Sequence, residues 1–239
     1  MRKLFLVGPV LLLLAACVTR PPHIEPDAGS DALWDMLMTQ NQNYVDGSVT
    51  FAGLKLIREQ TAGKQSPPVT FLSCADSRVP PELVFHQTVG DIFVIREAGN
   101  VADTFSVASI EYGVLNPDIR TRMIVVLGHE GCGAVKAAIQ NAGGTPSLDA
   151  LVKRIRDSVP NPPCTDPNDE GCVNRWVKLN AIASAKYLIA AKTSAEIRKA
   201  VCSTPATVAL RTAYYNLVSG RVELIPFDAG EACRAPGVE

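Results

Sequence analysis

Histidine is scarce in this chain of 239 residues: there are three, at positions 23, 86 and 129. A histidine paired with a cysteine at short spacing therefore stands out. Net charge is also lacking. The formal value of −1 gives no basis for expecting a nucleic-acid binder. No internal repeat is visible. The one long apolar run, Leu4 to Ala16, is too short for a comfortable membrane span. What remains is a chain long enough for one sizeable α/β core or two small ones, with seven cysteines.

The N-terminus accounts for one cysteine. Arg2 and Lys3 precede the apolar run, which closes on Leu14-Ala15-Ala16-Cys17. This resembles a bacterial lipoprotein signal, in which the cysteine is lipidated and becomes the first mature residue. The expected division is a signal peptide over 1–16, a lipidated Cys17 with a Pro-rich tether over 17–30, and one domain over 31–239. Acyl chains at Cys17 would anchor that domain to a membrane. Val18, where an aspartate would favour inner-membrane retention, points to the periplasmic face of the outer membrane.

Export changes what the other six cysteines are expected to do, because thiols in an oxidising compartment tend to pair. Cys164 and Cys172 bracket the polar stretch "TDPNDEG", and Cys202 and Cys233 flank the C-terminal segment. These are candidate disulfides 164–172 and 202–233, although four cysteines allow three pairings. Cys74 and Cys132 are left over.

The hydrophobic pattern alternates strands with helices. Short β-rich runs fall at 69–73, 91–96 and 123–128, with last strands at "TVALRTAYY" and "RVELIPF". Helical spacing is expected from Asp31 as N-cap, over 104–115, from Cys132, and in "SLDALVKRIRDSV" and "NRWVKLNAIASAKYLIAA". The fold class is α/β, a mainly parallel central sheet flanked by helices on both faces.

Two motifs follow strand ends. "CADSRVP" follows 69–73, and "GHEGCGAV" contains the end of 123–128. Ligands in open parallel sheets bind outside the carboxyl ends of strands, so the two motifs can share one crevice. Cys74, His129 and Cys132 then offer two sulfurs and one nitrogen, a suitable set for one catalytic Zn²⁺ with its fourth position open. Asp76 can orient a water there, or close the site by binding the metal itself. Arg78 can hold Asp76 off the metal. A buried structural thiol at Cys74, a Cys74–Cys132 disulfide and an ordinary turn histidine at His129 are the alternatives.

"CADSRVP" and "GHEGCGAV", with 54 residues between Cys74 and His129, resemble the β-class carbonic anhydrases. "IREAGN" (95–100) is similar to that family's "RNAGN", and "AYYNLVSGRVEL" to its closing strands. The resemblance runs from about 31 to 226. It implies zinc ligands Cys74, His129 and Cys132, and a catalytic dyad of Asp76 and Arg78. It also implies a substrate pocket of Gln65, Phe93 and Tyr112, partly supplied across a dimer interface. Phe71, where the bicarbonate-inhibited subclass carries tryptophan, implies the open form. Glu97 departs from the usual asparagine, and the cysteine-bearing loop at 160–173 is an addition to the pattern.

The activity implied is zinc-dependent reversible hydration of CO₂ by attack of zinc-bound hydroxide, in a homodimer or higher homo-oligomer. Hydrolysis of carbonyl sulfide or carbon disulfide at the same site is one alternative. A non-catalytic, disulfide-bonded envelope lipoprotein is another. His86 is a speculative proton shuttle, with an exposed surface position as its ordinary reading.

Overall fold

The computed structural model describes residues 28–234. The expected signal peptide, Cys17 and most of the tether lie outside the described residues. Among the described residues no helix is long and apolar enough to cross a membrane.

Five strands form one sheet in the order β2-β1-β3-β4-β5. They are β1 (Val69–Ser73), β2 (Ile92–Arg96), β3 (Met123–His129), β4 (Ala209–Tyr215) and β5 (Val222–Ile225). The first four run parallel, and β5 returns antiparallel along β4. β1 and β3 sit inside the sheet, and every residue of both is buried. Their near-continuous apolar sequences follow from that, since a strand covered on both faces needs apolar residues at every position.

The alternation of side chains along these strands divides the core in two. Phe71, Val125 and Leu127 point to one face, where they pack with Leu33 and Leu37 of α1 (Ser30–Val45) and with Val84 of α3 (Pro81–Val84). Leu72, Ile124 and Val126 point to the other face. There they meet α4 (Thr104–Leu115), α5 (Gly133–Gln140), α6 (Pro146–Ser158) and α7 (Glu170–Leu188). Helices do cover both faces, but unequally. Phe71 is fully buried and packs on Phe85 with ring centroids 4.9 Å apart.

The boundaries differ from expectation at several points. Gly29, not Asp31, precedes the first helix, and no side chain caps it. Asp31 lies inside the first turn and pairs with Arg211 at 2.6 Å. The β2 strand begins at Ile92. The last strands are shorter than their apolar runs. Helix α7 begins four residues early because Asp169 accepts a hydrogen bond from Gly171 N and caps it there. Four helices escape the periodicity argument: α2 (Leu54–Thr61), α3, α8 (Ala195–Cys202) and α9 (Ala229–Arg234). All are short. α2 buries only Ile57 over its eight residues, too short a span for a repeating stripe to establish a helix.

Both expected disulfides are present. Cys164 joins Cys172, which sits in the first turns of α7 and not in a loop. Cys202, the last residue of α8, joins Cys233 in α9. Among the described residues Cys74 and Cys132 are free and buried.

Candidate metal centre

Register brings the two motifs together. Ser73 lies beside Leu127, so the next residues, Cys74 and Gly128, leave the parallel pair β1/β3 side by side. His129 ends β3, and Cys132 stands at the N-cap position of α5. The turn between them needs Gly131 with φ +62°, a conformation costly for side chains with a Cβ. Its amide is fixed by Asn174 Oδ1 at 3.1 Å. Gly128 has a second reason to lack a side chain: a Cβ there would meet Val177 of α7 at 2.8 Å.

The ligand atoms of Cys74, His129 and Cys132 all lie within 4.8 Å of one another, and all three residues are buried. His129 Nδ1 is 2.9 Å from the carbonyl oxygen of Glu130. A carbonyl only accepts, so Nδ1 carries the proton. In the neutral ring, Nε2 is then left with its lone pair. That atom is buried without a hydrogen-bond partner. A buried lone pair that faces two thiols and has no hydrogen-bond donor is suited to a metal ion. The residues present fit Zn²⁺.

The thiols are set up for the same role. The Cys132 thiol beside Cys74 holds the Cys74 thiol well below the usual thiol range, against the opposing effect of burial, and His129 adds to the lowering. Cys132 is pushed up in turn by Cys74 and by burial, while the amides of Ala134 and Val135 at the start of α5 pull it down. The pair thus holds one thiolate readily, and a cation is needed to hold two. Gly99 N donates to Cys74 Sγ at 3.3 Å, from a residue with φ +67° on which a Cβ would meet Ile155 at 2.9 Å. Gly99 itself is tied by Asn180 Nδ2, 2.7 Å from its carbonyl oxygen.

Asp76 and Arg78 form a two-pronged pair. Arg78 Nε donates to Oδ1 at 2.9 Å and Nη2 to Oδ2 at 2.7 Å, and the Arg78 amide adds a third bond at 3.0 Å. Asp76 Oδ2 lies 3.9 Å from His129 Nε2, at the edge of the cluster. The Arg78 side chain holds the Asp76 carboxyl well below the usual carboxylate range.

Arg96 does not pair with its neighbour Glu97. Its guanidinium donates instead to the carbonyls of Cys74 at 3.0 Å and Asp76 at 2.5 Å, fixing the backbone that carries both. Burial, with Asp103 nearby, pushes the Glu97 carboxyl up. His86 is a buried residue, not an exposed one. Its Nε2 lies 2.9 Å from the Thr50 carbonyl and its ring packs on Phe51.

The expected substrate residues are not gathered at the cluster. Gln65 and Tyr112 line a cleft of about 560 Å³ before the start of β1, with Lys64, Asp118 and Ile119. Phe93 is half-buried on β2, its ring 6.4 Å from that of Tyr112. Cys74 is at the other end of β1. Sequence reasoning missed Arg96, Asn174 and Asn180 as supports of the site. Arg96 was visible in "IREAGN", whereas the two asparagines sit in a helix with no local signal.

A profile described as carbonic anhydrase matches residues 69–222. The chain belongs to the carbonic anhydrase family. Carbonic anhydrase 2 of Mycobacterium tuberculosis is 38% identical over 139 residues, which cover 56% of this chain and 66% of that protein. The match thus spans just under two thirds of the relative's length. A tetrameric β-carbonic anhydrase of Sordaria macrospora superposes with a TM-score of 0.64 at 22% identity, over 82% of this chain and 98% of that one. The Coccomyxa β-carbonic anhydrase in complex with acetazolamide gives 0.62 at 22% identity, over 82% and 94%. The fold is that of the β-carbonic anhydrases.

Proposed function

We propose that the chain catalyses reversible hydration of CO₂ to bicarbonate and a proton at a zinc centre held by Cys74, His129 and Cys132. The observation that carries this reading is the buried cluster with the Arg78-clamped Asp76 at its edge. Bound Zn²⁺ supplies a Lewis acid that brings deprotonation of water into the neutral range. Asp76 accepts a hydrogen bond from the nucleophile and orients its lone pair towards CO₂. Its depressed pKa makes it a poor proton store, so it acts by orientation and the proton leaves to buffer. Because Arg78 occupies both carboxylate oxygens, it keeps Asp76 off the metal, which supports the open form.

Gln65, Phe93 and Tyr112 would serve a cluster on a second copy, since their own chain places Gln65 and Cys74 at opposite ends of β1. The exposed Phe105, Tyr112 and Leu115 of α4 offer an apolar surface for such a homodimer or larger assembly. The tetramer named for the Sordaria protein agrees with this. Lipid anchoring at Cys17 on the periplasmic face of the outer membrane is part of the same proposal. The two disulfides support an oxidising compartment. Intact-mass measurement of the mature N-terminus tests the anchor.

Stopped-flow CO₂ hydration on zinc-loaded protein between about pH 7 and 9 tests the activity. The expected result is hydration that follows zinc content. Absence of activity at one zinc per chain, or a strong preference for carbonyl sulfide or carbon disulfide, would overturn the assignment.

A further inference from the structure

The carbonyl that fixes His129 belongs to Glu130, and the Glu130 side chain is committed elsewhere. Its Oε1 accepts from Asn216 Nδ2 at 2.9 Å, and its Oε2 from the Leu217 amide at 3.0 Å. Both donors lie in the turn joining β4 to β5. Asn216 also organises that turn, because its Oδ1 accepts from the Val218 amide at 3.2 Å and from Ser219 N and Oγ at 2.7 and 2.9 Å. The Glu130 amide donates to Tyr215 O at 2.8 Å, continuing the β3/β4 pairing by one residue. Residue 130 is therefore held at both its backbone and its carboxylate by residues 215–217. Its own carbonyl then faces His129 Nδ1.

We propose that Glu130 and Asn216 are positioning residues for the metal centre. The carboxylate clasp holds the Glu130 carbonyl where it can accept the Nδ1 proton, which keeps the tautomer with Nε2 open to the ion and fixes the ring plane. The turn between β4 and β5 is then part of the zinc site's support, acting through Glu130. The charge of Glu130 is not what matters; the paired acceptors are. Without the clasp, the next segment, with Gly131 at φ +62°, has only the Asn174 bond to hold its amide.

This rests on the reading of the cluster as a zinc centre. One zinc per chain in the unmodified protein tests that reading first, and the variants are compared only with it. Zinc affinity is measured by chelator competition, and the Co²⁺-substituted protein gives the visible spectrum of the thiolate–imidazole site. Loss of an outer support of a metal-ligating histidine weakens affinity by about 10- to 100-fold, which is the effect expected for Glu130→Ala and Asn216→Ala. The double variant should be no weaker than about threefold beyond either single one, because the two act as one unit. Glu130→Gln keeps one of the two acceptor oxygens and sets an NH2 against a donor at the other, so it should recover only part of the affinity. The Co²⁺ spectrum should shift in both alanine variants. Zinc affinity within about twofold of the unmodified protein, with an unchanged Co²⁺ spectrum, would overturn the proposal. That holds even if the melting temperature falls, since a merely structural clasp would lower stability alone. If Glu130→Ala does not fold, Asn216→Ala decides by the same two readouts.

Discussion

Six of the seven cysteines can be compared within one fold, and they divide into two kinds. Cys164, Cys172, Cys202 and Cys233 tie helices and loops at the edges of the sheet's helical cover, although Cys172 is itself fully buried. Cys74 and Cys132 leave the strand ends of the inner sheet and stay free, although their sulfurs come as near as ligands of one ion. Proximity does not separate the two kinds; their neighbours do. Among the described residues, the group of side chains that could hold a metal ion is Cys74, His129 and Cys132, and no edge cysteine belongs to it. The inner pair faces a histidine nitrogen whose proton is on the far side of the ring, an amide from Gly99 and a clamped aspartate. A thiolate is stabilised there, and a cation completes the set.

The largest expected effect comes from crossing the two kinds. Cys132→Ser should remove zinc and lower CO₂ hydration on the order of a thousandfold, while leaving both disulfides in place. Retention of stoichiometric zinc with near-normal rates would break the distinction. Next in size is Asp76→Asn, expected to cost about a hundredfold or more in kcat with zinc content unchanged. Asp76 has its folded pKa depressed by Arg78. Its charge is therefore constant from mildly acidic to alkaline pH, and any stability it contributes is full above the unfolded carboxylate value and is lost as pH falls from there through the depressed folded value. The activity profile near neutrality should show no step from Asp76. A step that disappears in Asp76→Asn would contradict this.

The edge pairs should respond the opposite way. By loop-closure entropy, losing the bridge across 31 residues costs about 3–4 kcal/mol, and losing the one across 8 residues about 2–3 kcal/mol. Paired Cys→Ser variants should melt earlier in that order and still bind one zinc per chain. Loss of zinc from Cys202→Ser/Cys233→Ser would show that the edge supports the site.

This comparison also shows what could be read from sequence. The inner sheet was legible because β1 and β3 are buried on both faces and must be apolar throughout. The metal ligands followed from their places at adjacent strand ends. The short helices were not legible: α3 has four residues, and α9 has six and is joined by a disulfide to α8, so local pattern decides neither. Nor was the shell around the cluster. Arg96 and Glu97 are adjacent and of opposite charge, but neighbours along a strand point to opposite faces. Arg96 instead reaches the backbone of Cys74 and Asp76. Asn174, Asn180 and Asn216 act through contacts 43, 81 and 86 residues away in sequence, which no local pattern encodes.

Glu97 offers the smallest and finest test of the division. It is two residues from Gly99, whose amide touches Cys74, yet nothing places its carboxyl in the cluster. Burial and Asp103 raise its folded pKa above the unfolded value. Below the unfolded value both states hold the proton, and Glu97 is neutral to stability. Above the folded value the charged form favours the unfolded chain, so Glu97 costs stability at neutral pH. Glu97→Gln should therefore raise the melting temperature by about 1 °C near pH 8 and by nothing measurable near pH 4, the size being limited by solvent screening. Zinc affinity should not change. If it does, the line between residues that hold the fold and residues that hold the metal runs farther out than Gly99.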